Sequence, residues 1–408
     1  MLFVLGCLVG GQVNRGIYRL AFAPRPIGPW SAPHPQAAPR RWFDRVPVLG
    51  WFGLRREADI HGAAFWVRPM AIELALGGGF AALYWYEVTQ LGLVRSFPFD
   101  VVPAADVLRA QVFAHLTLIS LLVVATFIDF DEQTIPDAVT VPGTLAGLTL
   151  AAVFPSTLLP ILTSAFHPNA QMLVHHADHL LLTAPSAWPG WFDGPRGLGI
   201  GLACFWGWCL LLLPKTWWTR SGPVKAVRYC LASILRSRAS IGYAAMAVLG
   251  GTLTVVVWRV GDPYWPALLT AQLGMAAGAA VVWAVRIIGA HVLGREAMGF
   301  GDVTLLAMIG AFLGWQSALI VFLLAPFAGL VVALTQVVLT RRTDIAFGPY
   351  LALAAVALIV FWDPLWHDHL HDRFALGLWI PAIVAICLIL MTAMLAGWRV
   401  LSALTTRR

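Results

Sequence analysis

The sequence predicts an all-α polytopic membrane protein of about eleven transmembrane helices with basic cytoplasmic loops, and three observations predict it. Of 408 residues, 59% are hydrophobic and only 12% charged, against roughly 25% charged in a soluble domain; mean hydropathy is +0.77. Apolar runs long enough, or nearly so, to cross roughly 30 Å of hydrocarbon recur along the chain. Arginine and lysine gather in alternate loops between those runs, which is the asymmetry that orients a chain in a bilayer.

In order, the runs fall at 1–22, 69–91, 110–128, 138–160, 197–214, 243–260, 266–290, 303–315, 317–339, 346–362 and 375–397. The loop after the first holds Arg25, Arg40, Arg41, Arg45, Arg55 and Arg56 and is assigned to the cytoplasm. Alternation then puts 215–238, Arg341, Arg342, Arg407 and Arg408 inside as well. It leaves 96–106, the histidine-containing stretch 161–195 and "DPLWHDHLHD" outside, where basic residues are sparse. Lys plus Arg outnumber Asp plus Glu, 27 to 20, but in membrane loops this excess marks orientation, so the expected partner is the bilayer and not nucleic acid. Five cysteines, Cys7, Cys204, Cys209, Cys230 and Cys387, form no C-x-x-C pair, and neither a disulfide framework nor a metal site is expected.

Two acidic segments then stand out, because "DFDEQTIPD" (129–137) and "GFGD" (299–302) both emerge on the cytoplasmic side. Asp129 ends a span, where the helix macrodipole disfavours a carboxylate. Asp302 begins one, where, taken alone, helix capping worth about 1 kcal/mol accounts for it more readily than chemistry does. Asp137, after Pro136, reads as an N-cap, and Asp131 as a solvated interfacial residue. An ionisable group at the edge of an apolar span is costly unless paired or in a wet cavity. Two such carboxylates brought together would share a proton, the ionised one taking a proton from water while the other polarises a carbonyl. Gly299 and Gly301 would let backbone or substrate approach Asp302.

These segments resemble the type IV prepilin peptidases, membrane aspartic proteases of the G-x-G-D type. "IDFDEQTIPDAVTVPG" from Ile128 is similar to the family's Asp, short polar stretch and Ile/Leu-Pro-Asp, and "GREAMGFGDVTLLAMIGAFLGW" from Gly294 to its G-R-E-G-M-G-x-G-D-x-K-L-L run. "FGPYLALAA" from Phe347, "NRGIYRL" from Asn14, "RWFDRVPVLGWFGLR" from Arg41 and "RPMAIEL" from Arg68 continue the likeness in the family's order. The resemblance implies an endopeptidase that removes the leader of type IV prepilins or type II secretion pseudopilins in the bacterial inner membrane, with Asp129 and Asp302 catalytic. Glu296, in the G-R-E stretch, is implied as a supporting residue beside Gly299, Gly301, Pro136 and Asp137.

The chain also departs from the family. Many members flank the segment around Trp42 with two C-x-x-C pairs, whereas residues 31–66 contain no cysteine, so zinc is not expected. Many members also methylate the new N-terminus with S-adenosylmethionine, which remains open here. Ala297 replaces a glycine and Thr304 a lysine. The expected organisation is an N-terminal region 1–91 with its cytoplasmic loop, a first core part 110–160, an insertion 161–265 with two extra spans, a second core part 266–362, and a C-terminal helix and tail 363–408. The histidine clusters at 175–179 and 367–372 read as polar loop ends, with a transition-metal site through paired imidazoles and carboxylates as the lesser alternative. The competing reading is a polytopic protein that cleaves nothing, either a proton-coupled transporter or an inactive assembly scaffold.

Overall fold

The computed structural model describes residues 1–25, 27–167, 172–213, 232, 237–294, 298–339, 347–377 and 379–405. Each predicted apolar run falls on a helix. The longest are α1 (Leu2–Leu20), α2 (Val67–Tyr84), α3 (Ala105–Glu132), α4 (Asp137–Val153), α5 (Pro195–Leu212), α6 (Arg238–Val260), α7 (Tyr264–Leu293), α8 (Phe300–Leu339), α9 (Gly348–Val360) and α10 (Trp379–Thr405). Among the described residues, six helices are long and apolar enough to cross a membrane, or seven if α9 and the helical segment bent 83° from it are taken as one span. The difference from eleven has physical causes: α4 and α9 are short, α1 and α2 contain charged residues (Arg15 and Arg19, Arg68 and Glu73) that dilute their hydropathy, and the runs at 303–315 and 317–339 lie in the two halves of α8.

Gly314 interrupts α8 at φ 81° and ψ 171°, a backbone conformation that favours glycine. Gly310 and Gly314 lie against Gly274 of α7, while Gly329 lies against Tyr350 in the first turn of α9. A straight helix would carry Gly329 roughly 40 Å from Asp302. The start of α9 stands instead beside Asp302, so the chain doubles back at Gly314. The first half of α8 therefore descends along α7 and the second half returns along α9. Trp315 and Gln316, at the turn, donate side-chain hydrogen bonds to the carbonyl of Leu182 at 2.8 and 3.3 Å.

One feature is absent from the helical prediction. An antiparallel hairpin, β1 (Pro160–His167) and β2 (Met172–His179), pairs Pro160 with His179 and His167 with Met172. Its strands dock on the end of the molecule remote from Gly348: Trp362 Nε1 donates to the Pro160 carbonyl at 2.7 Å and the Leu162 N–H to His367 Nε2 at 3.3 Å. The two histidine clusters, far apart in sequence, thus share one face. Among the described residues no three metal-ligating side chains converge.

On the opposite face, the loop between α1 and α2 has its own buried polar frame. Glu73 of α2 accepts hydrogen bonds from Trp51 Nε1 at 2.8 Å and from Asn14 Nδ2 at 3.1 Å, and also from the Val48 N–H. Arg56 grips buried Asp44 through both carboxylate oxygens, and Arg40 pairs with buried Glu57. The Arg56 hydrogen bonds hold the Asp44 carboxyl below its ordinary range. A depressed folded value means that the pair's stabilisation is present above the ordinary carboxylate pKa and is lost as pH falls through the folded value. Acidification should therefore open this loop to an acid-active protease before the helical bundle is cut. Asp44→Asn should be cut at the same place with little pH dependence, as limited proteolysis in detergent would show.

Candidate active site

The helix α3 ends where Gln133 takes the left-handed conformation (φ 54°, ψ 34°), its N–H donating to the Asp129 carbonyl at 2.8 Å. Asp129 occupies the last turn and is 5% exposed. The unfavourable placement of a carboxylate at a helix C-terminus is offset from across the fold, since the N–H of Gly348, first residue of α9, donates to Asp129 Oδ2 at 3.1 Å. Asp302 is 7% exposed and is not the N-cap that the sequence suggests. It stands third in α8 and reaches back to accept the Gly299 N–H at 3.1 Å, as the acidic member of a capping box does. Each carboxylate thus takes one backbone hydrogen bond on Oδ2, and its other oxygen accepts none among the described residues.

The chain segment joining α3 to α4 closes the arrangement. Ile135 is wedged between two glycines: a Cβ on Gly301 would sit 2.7 Å from Ile135 Cβ, and one on Gly348 would sit 2.8 Å from Ile135 Cδ1. These two close approaches require glycine, and they bring the starts of α8 and α9 to the end of α3. Pro136, extended at φ −75° and ψ 138°, serves as the N-cap of α4, while Asp137 follows in its first turn and not at the cap. A cavity of about 450 Å³ opens here, with Asp129, Asp302, Asp137, Thr134, Phe300 and Phe347 among its walls.

Of the residues singled out in the sequence, Asp129, Asp302, Asp137, Gly299 and Gly301 line this cavity. Glu296 lies outside the described residues. Asp131 is not a free solvated residue, for Arg68 holds it bidentately at 2.7 and 2.9 Å, and Glu132 accepts the N–H groups of Phe22 and Ala23. These contacts bind the end of α3 to the N-terminal region. The role of Gly348 was not legible beforehand, although "FGPYLALAA" was already among the matching segments; a glycine after a phenylalanine carries no sign of which distant carboxylate its N–H will meet.

Comparison with known proteins agrees with the motif reading. Residues 241–334 match the model of the Type IV leader peptidase family. The "Prepilin leader peptidase/N-methyltransferase" of Aeromonas salmonicida is 37% identical over 98 residues, 23% of this chain and 34% of the relative. Proteins of the same name from Myxococcus xanthus and Pseudomonas putida are 33% identical over 150 residues (37% of this chain, 39% of the relative) and 30% identical over 168 residues (40% and 53%). The chain thus aligns with about a third to a half of the length of these curated relatives. No solved structure matches it. Residues 241–334, which contain the G-x-G-D segment at the cavity, are thus similar to the type IV leader peptidases.

Proposed function

We propose that the protein is an aspartic endopeptidase that cleaves the leader of type IV prepilins or type II secretion pseudopilins at the cytoplasmic face of the bacterial inner membrane. The observation that carries this reading is the burial of Asp129 and Asp302 in one cavity at the ends of apolar helices. Orientation rests on the arginines: the loop between α1 and α2, with six of them, is tied to the end of α3 where the Phe22 and Ala23 N–H groups donate to Glu132, and such loops are retained inside.

In the mechanism, one carboxylate is ionised and the other protonated, a state that belongs to the pair as a unit. The ionised group takes a proton from a water held between them. The resulting oxygen nucleophile attacks the carbonyl carbon of the scissile bond while the protonated group donates a hydrogen bond to the carbonyl oxygen. Collapse of the tetrahedral intermediate breaks the C–N bond, and the proton taken from water passes to the leaving amine. The helix starts at Gly348 and Phe300 supply backbone N–H groups and positive dipole ends that keep the carboxylates in place. The substrate's apolar segment enters from the bilayer and leaves its leader in the cytoplasm.

The test is co-expression with a prepilin and, separately, a pseudopilin in cells lacking their own peptidase, followed by the shift of the precursor on a gel. A shift with either client supports the reading. Precursors of both kinds left whole by an abundant, membrane-inserted chain would transfer the case to the transporter or scaffold. The mature N-terminus from the same assay also reports on methylation: a mass increase of one methyl group that depends on S-adenosylmethionine would add the second activity named in the relatives.

A further inference from the structure

We propose that the loop between α1 and α2 carries a binding site for the headgroup of an anionic phospholipid, separate from the aspartate cavity. The site is a cavity of about 730 Å³ with Phe43, Phe52 and Trp66 in its wall and Arg41, Arg55 and Arg56 around it. Three observations assign it. The loop's charges are sorted: Asp44 and Glu57 are turned inward and held by Arg56 and Arg40, while Arg41 and Arg55 stay exposed, with aromatic faces as their neighbours. The Arg41 guanidinium lies 5.7 Å from the Phe43 ring centre and that of Arg55 4.6 Å from Phe52. Asp59 is the remaining exposed carboxylate of residues 40–66 and does not line the cavity.

The second observation is level. Trp66, packed edge-on against Phe52 at 5.8 Å, immediately precedes α2. Two residues on, Arg68 bonds to Asp131 in the last turn of α3, one of the helices apolar enough to span. The cavity therefore sits where α3 leaves the apolar layer, at headgroup height. The third is the exposed apolar surface beside it: Trp42 is 81% and Phe52 48% exposed. In water such surface is unfavourable, whereas aromatic rings with arginines at the boundary of a bilayer are favoured on both counts. A soluble anion would be met by the arginines but would leave the rings uncovered; a phospholipid satisfies both.

The test uses the full chain in detergent, offered equal amounts of phosphatidylglycerol and phosphatidylcholine, with retained lipid read by native mass spectrometry. Wild type should retain phosphatidylglycerol preferentially, and Arg41→Gln with Arg55→Gln should lower that retention about fivefold per arginine removed. Lysine at both positions should restore most of it. Arg45→Gln, whose guanidinium stacks on Trp30 away from this cavity, should leave it unchanged. Equal retention of the two lipids by wild type, or full retention by a double glutamine variant that elutes as wild type on gel filtration, would overturn the proposal. Displacement of phosphatidylglycerol by inorganic phosphate at the same concentration would overturn it too, in favour of a soluble anion. None of these readouts depends on peptidase activity.

Discussion

Asparagine at position 129 or 302 is expected to lower prepilin cleavage by about 10³-fold or more, because the proposed mechanism gives each carboxylate a proton-transfer role worth about 10²–10⁴ in which neither substitutes for the other. The change is nearly isosteric. Gly348 can still donate to an oxygen at position 129 and Gly299 to one at position 302, so abundance and thermal stability in detergent should stay close to wild type. Because the two groups act as a unit, the double variant should be no slower than either single one. Initial rates with a purified prepilin decide the matter. Substantial cleavage by either single variant would remove that residue from the mechanism, and losses that multiply in the double variant would mean that the carboxylates work independently.

The second large effect is expected from a residue without a titratable side chain. A Cβ on Gly348 would lie 2.5 Å from Asp129 Oδ2 and 2.8 Å from Ile135 Cδ1. Gly348→Ala must therefore displace the carboxylate that it now holds through its N–H. A misplacement of about 1 Å in a reacting constellation costs on the order of 10² in rate, and kcat should carry the loss, since the walls that would meet the substrate elsewhere are unchanged. Gly299→Ala is the matched control: its Cβ would stand 3.5 Å from Asp302 Oδ2, an ordinary contact, and it should cost only a few-fold. Steady-state kinetics of both variants test this. If they lose the same amount, crowding of Asp129 is not the cause.

Much of the architecture was readable from patterning. An apolar run in a bilayer has to become a helix so that its backbone groups are bonded internally, and each predicted run did fall on one. What patterning missed depends on partners distant in sequence. The β1–β2 hairpin contains histidines, serine and threonine beside apolar residues and lacks a strong alternation, and its docking needs Trp362 and His367, about 200 positions away. The boundary read between the runs at 303–315 and 317–339 does fall at the break in α8, but the reversal there was not legible, being a matter of the dihedral angles at Gly314 and of Gly274 on the facing helix. Asp131 looked solvated because its partner, Arg68, lies 63 residues earlier.

By itself, then, the sequence determined that the chain is helical and membrane-embedded, which side its arginines favour, and that Asp129 and Asp302 are the carboxylates to watch, since hydropathy, charge asymmetry and short motifs are local properties of a chain. Only the tertiary structure decided that the two aspartates share a cavity, that Asp302 sits at the third position of its helix, that Gly348 holds Asp129, and that Asp44 and Glu57 of the N-terminal loop are buried against Arg56 and Arg40 while Arg41 and Arg55 stay exposed. Each of these is a matter of distances between segments, set by which helices pack together and how closely their glycines allow them to approach.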